Sequence, residues 1–119
     1  MNSTELKKRT KDFAKECFKL ALLLPNTHLG NHIKGQLIRA ATSVACNYRA
    51  VCHAHSKAGF LSKLSIVIEE SDETEYWLEF IDEEKLIKDL NISKLLKEAN
   101  ELTSIFIASR RTARKNNST

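Results

Sequence analysis

Apolar residues recur at helical spacing in four stretches of the chain. In the first, Leu6, Phe13, Cys17, Leu20 and Leu24 share one face while Lys7, Lys8, Lys11, Lys15 and Lys19 lie largely elsewhere, which predicts an amphipathic helix from about Glu5 to Leu24. Thr4 is its candidate N-cap and Pro25 its stop. The second stripe, Ile33, Leu37, Ala40, Ala41, Val44, Tyr48 and Val51, predicts a helix from about Asn31 to His53. The third opens after Ser56, a candidate cap, and carries Phe60, Leu64, Val67, Ser71, Leu78 and Ile81 over residues 57–81. A polar break follows from Asp82 to Asn91, although Leu86, Ile87 and Leu90 predict that it folds back onto the core. The fourth helix, about Ile92 to Ser109, turns Leu95, Ala99, Leu102 and Phe106 inward, and residues 111–119 read as a flexible basic tail. Four helices near 20 residues, each about 30 Å long and joined by short connections, predict an all-α fold, an antiparallel up-and-down four-helix bundle.

Composition supports one domain of this kind. The 119 residues leave room for a single core, and three Gly with one Pro are too few for the turns of a sandwich or barrel. No stretch has the 18 or so apolar residues that span a bilayer, and the N-terminus lacks the apolar run of a secretory signal. Cys17, Cys46 and Cys52 are an odd number without framework spacing, so they read as reduced thiols. A cytoplasmic protein without a membrane role is expected.

The net charge of +4 conceals a strong asymmetry. Residues 1–63 hold eleven Lys or Arg against three acids, giving +8; residues 64–109 hold four against twelve, giving −8; the last ten carry four cations and no acid. Two basic clusters stand out: Lys7, Lys8, Arg9 and Lys11, and Arg110, Arg111, Arg114 and Lys115. In an antiparallel bundle the first helix starts where the fourth ends, so both clusters are expected at one end, as a site for the phosphates of RNA or DNA. The bland alternative is that they solvate helix 1 and complement the C-terminal dipole of helix 4.

The outward faces suggest a second surface. The back of helix 2 presents Gly35, Thr42, Ser43 and Cys46 with Arg39 the one charge between Gly35 and Asn47. Helix 3 places Tyr76, Trp77 and Phe80 among Glu69, Glu70 and Glu73. Aromatics beside carboxylates read as an interface. Arg39, Thr42, Cys46, Glu69, Glu73, Tyr76, Trp77 and Phe80 are therefore the candidate contacts of a homo-oligomer, with Arg39 paired either to a neighbouring subunit or to helix 3 of its own. If the acidic, aromatic face stays exposed instead, the chain reads as a protein-interaction or structural module.

Catalytic chemistry is absent from the pattern. No Glu is followed by His at the spacing of a di-iron bundle, and there is no phosphate loop or nucleophile elbow. Cys46, Cys52, His53 and His55 cluster without the spacing of a zinc site. Neither an enzyme, a cofactor, a metal nor a small-molecule substrate is expected.

The run Gln36, Leu37, Ile38, Arg39, Ala40, Ala41, Thr42, Ser43, Val44, then Asn47 and Tyr48, resembles the second helix of four-helix bundle proteins encoded in intervening sequences of bacterial large-subunit (23S) ribosomal RNA genes. Leu24 with Pro25, Phe60 with Lys63 and Leu64, and Glu69, Glu70, Glu73, Trp77 and Leu78 agree with the same family, so the resemblance runs from Leu6 to Lys115. Many members close helix 2 with Asn, Ile, any residue, Glu and Gly, whereas this chain has Asn47, Tyr48, Arg49, Ala50 and Val51. The chain is also similar to the accessory variability protein of diversity-generating retroelements, a basic bundle that works with a reverse transcriptase and RNA. The resemblance implies a left-handed bundle that assembles into a ring, commonly a pentamer, and it implies no enzyme activity.

Overall fold

The computed structural model describes residues 1–88 and 91–116. Four helices account for most of them: α1 (Ser3–Ala21), α2 (His28–Cys52), α3 (Lys57–Glu83) and α4 (Asn91–Lys115). Each packs on its sequence neighbours and α4 returns to α1, closing a four-helix bundle 53 Å long and 21 Å across. The α2–α3 contact is the most extensive and the α1–α4 seam the sparsest.

The stripes read from the sequence form the core. Leu6, Phe13, Cys17, Leu20, Ile33, Leu37, Val44, Leu64, Val67, Leu78, Ile81, Leu95, Leu102 and Phe106 are all buried, with Tyr48 stacked against Phe106 at 5.6 Å between ring centroids. Phe60 is half-buried and packs on the edge of this cluster. Leu86 and Ile87 do fold back onto the core, whereas Leu90 lies outside the described residues. Among the described residues, three polar ones are also buried. Thr10 and Thr74 return their hydroxyls to the carbonyls of Lys7 and Glu70 at 2.9 and 2.7 Å, and Ser71 meets Thr103 at 2.6 Å across α3 and α4. Their polarity is thereby satisfied and they pack as apolar residues would.

Helix ends differ from expectation for local reasons. Asn2, not Thr4, caps α1: its Oδ1 accepts from Glu5 N at 2.8 Å while its Nδ2 donates to Glu5 Oε1 at 3.3 Å. α1 stops at Ala21, and a turn through Leu24 precedes Pro25. Thr27 caps α2, which starts three residues before Asn31. Ser56 caps α3 as its side chain accepts from Gly59 N. α3 ends in a Schellman motif, with Leu86 N donating to Ile81 O, Lys85 N to Asp82 O, and Lys85 at φ 54° in the position that favours glycine. α4 continues six residues past Ser109, so Arg111, Arg114 and Lys115 are helical and do not belong to a tail; Ala, Arg and Lys sustain a helix, and cations suit its C-terminus.

Candidate functional site

The lysine-rich flank of α1 lies beside the small-residue surface of α2. Because Ala45, Thr42 and Cys46 are too short to fill the space between the helices, an open groove of about 890 Å³ runs along them. Ala14 and Phe18 complete its floor from α1; Lys7, Lys8, Lys11 and Lys15 form one rim, and Arg49 and His53 stand on the other. Phe18 is 46% exposed although it is a large apolar ring. Lys8 is paired with Asp12 at 2.8 Å, and that hydrogen bond raises the lysine's pKa and lowers the carboxyl's. Lys7, Lys11, Lys15 and Arg49 form no ion pair among the described residues, and Asp12, whose pKa Lys15 and Lys11 also help to lower, sets one negative charge against the cations of the rims.

Arg9 belongs elsewhere. It points to the opposite flank of α1, where Nε donates to Glu98 Oε2 at 2.7 Å and Nη2 to Glu98 Oε1 and Glu101 Oε2, both at 2.6 Å. The hydrogen bonding to Glu98 raises the guanidinium's pKa further. This clasp across the α1–α4 seam removes Arg9 from the cationic cluster. Two residues from Lys7 on a helix is a rotation of about 200°, which carries the side chain around the helix.

The second cluster makes a site of its own. Arg110, Arg111, Arg114 and Lys115 line a depression of about 340 Å³ with Ile107, and Arg110 reaches Ser65 Oγ at 3.4 Å. The two clusters expected as one patch thus line two separate depressions.

The acidic, aromatic face of α3 is partly consumed within the chain. Arg39 donates from Nη1 to Glu70 Oε2 at 3.1 Å and from Nη2 to Glu73 Oε2, so the intrachain pairing is the one formed. Glu69, one position round the helix from Glu70, remains exposed. Trp77 donates its indole N–H to Glu73 Oε2 at 3.2 Å and meets His32 edge-on at 5.9 Å. Tyr76 packs on Trp77 and Phe80 yet is 54% exposed, while Trp77 and Phe80 lean on the core. Thr42 and Cys46, read as oligomer contacts, line the groove with Lys7, Lys8 and Lys11. Periodicity on one helix missed this meeting, because it depends on the register between two helices. Lys15, Phe18, Arg49 and His53 were missed for the same reason.

No group of three His, Cys, Asp or Glu able to hold a metal occurs among the described residues. Cys17 is buried, which pushes its thiol pKa up and keeps it protonated, whereas Cys46 is exposed. Among the described residues, no helix is long and apolar enough to cross a membrane.

Comparison with known proteins agrees with the four-helix fold. No curated protein matches. The chain is similar to a crystal structure of a Bacteroides thetaiotaomicron protein of unknown function from the S23 ribosomal protein family, at 28% identity and TM-score 0.83, over 93% of this chain and 99% of that one. The family model described as 23S rRNA-intervening sequence protein matches residues 2–108, nearly the whole bundle. On that extent of match the chain belongs to the 23S rRNA-intervening sequence protein family.

Proposed function

We propose that this chain is a non-enzymatic bundle subunit that binds the phosphate backbone of RNA or DNA and assembles with copies of itself into a ring, of five by the family resemblance. The observation that carries the binding is the α1–α2 groove, where Lys7, Lys11, Lys15 and Arg49 converge without an ion-pair partner among the described residues. Five cations around one acid, Asp12, are the kind of cluster that counterion release exploits, and a ring multiplies them. The Arg110 to Lys115 depression adds a second set of phosphate contacts. Fluorescence anisotropy with mixed RNA and DNA tests this. Binding is expected at ~50 mM salt and falls steeply by ~200 mM; no detectable binding at the lower salt refutes it.

A second reading is favoured by the exposed ring of Tyr76 beside Trp77 and Phe80. Such a cluster suits contact with protein, either the next subunit or a separate partner. Light scattering on Tyr76→Glu separates these. A smaller mass places Tyr76 between subunits, whereas an unchanged oligomer leaves the face for another protein.

A further inference from the structure

We propose that the α1–α2 groove takes a single strand of nucleic acid with one base stacked on Phe18, a reading that rests on the phosphate-binding function above. The rims alone would serve any polyanion. The floor discriminates, because Phe18, Ala14, Ala45 and Cys46 give an apolar surface between two cationic rims. A duplex offers phosphates and sugars to a convex surface and has no use for an apolar floor. A single strand brings both partners, a charged backbone and unstacked bases whose faces are apolar.

Spacing on α1 supports the same occupant. Lys7, Lys11 and Lys15 recur every four residues, a step of about 6 Å along the groove, and Phe18 continues their row at one end. Phe18 is 46% exposed although α1 already buries Leu6, Phe13, Cys17 and Leu20 in the core, so core packing does not account for it. Arg49 faces the row across the groove and adds a planar cation that can stack as well as pair. Sequence preference is not expected, since stacking accepts every base.

The test uses the full chain in its native assembly, with a labelled 12-nucleotide single strand, the duplex of the same sequence, and a labelled poly-glutamate peptide. The single strand is expected to bind at least tenfold more tightly than the duplex. Phe18→Leu should weaken single-strand binding about tenfold with the salt slope unchanged, and Phe18→Tyr should retain it. Lys11→Gln and Lys15→Gln should each make the single-strand slope shallower by about 0.7. Circular dichroism and light scattering confirm fold and assembly for each variant. Equal affinity for duplex, or an unaffected Phe18→Leu, overturns the single-strand proposal and leaves phosphate binding standing. Binding of the peptide alone, or of neither nucleic acid, overturns both.

Discussion

Replacing Arg9 by Met isolates the clasp on the α1–α4 seam. Methionine keeps most of the apolar stem and removes the guanidinium, so the change is mainly electrostatic. The Arg9 side chain is 23% exposed and that of Glu98 27%, and their two hydrogen bonds form a bidentate fork. Charge-assisted bonds contribute about 1.5–3 kcal/mol, and a quarter-exposed site belongs at the lower end, so the fork is assigned ~1.5 kcal/mol. Glu101 is 50% exposed and adds no more than ~0.5 kcal/mol. Urea unfolding at fixed protein concentration should therefore show a loss of about 2 kcal/mol with unchanged m. Arg9→Lys should recover less than half, because an ammonium cannot make the fork. At ~1 M salt the deficit should shrink, as the screening length falls to about 3 Å. Nucleic-acid affinity should stay within about twofold of the parent, since Arg9 faces away from the groove. A stability loss under ~0.5 kcal/mol would show that apolar packing alone holds the seam. A drop in affinity like that of Lys11→Gln would return Arg9 to the binding surface.

Three backbone positions give opposite signs in thermal unfolding. Gly35→Ala should stabilise by about 0.5–1 kcal/mol, because an added Cβ meets nothing within 4 Å and helical backbone entropy is saved. Lys85→Gly should gain ~1 kcal/mol by relieving a left-handed residue, while Gly30→Ala should cost ~1–3 kcal/mol, since its Cβ would lie 1.9 Å from the Pro25 carbonyl oxygen. Under native conditions iodoacetamide should label Cys46 first and Cys17 only on unfolding, read by peptide mass; rapid native labelling of Cys17 contradicts its burial. Arg39→Met should cost at most ~1 kcal/mol and leave the oligomer mass unchanged in light scattering, because its partners Glu70 and Glu73 are its own.

Single-helix properties were legible in the sequence. Leu6, Phe13, Cys17 and Leu20, or Ile33, Leu37 and Val44, announce a buried face by spacing alone, and the Ser56 cap needed only its place before Phe60. The Asn2 cap was also readable, as Asn2 has Glu three residues later and Thr4 has Lys7. Thr10 and Thr74 were hidden because threonine counts as polar until its hydroxyl finds a backbone carbonyl. Properties of pairs were not legible. That Arg9 reaches Glu98, that Arg39 selects Glu70 over Glu69, and that Phe18 lies among lysines and Cys46 all follow from helix register and rotation, which one chain's periodicity leaves free.

The sparse α1–α4 seam sets an order of assembly. The other three contacts join helices adjacent in the chain and close loops of a few residues, whereas this one must bring residue 9 to residue 98. Loop-closure entropy makes the long contact the last worth forming, so α2 and α3 are the natural nucleus and the α1–α4 seam is the last to close. Native-state hydrogen exchange should accordingly find α1 opening at lower free energy than α2 and α3. One wall of the α1–α2 groove would then belong to a helix that opens before α2 and α3, and a strand bound as proposed across α1 and α2 would slow that opening as well as report it.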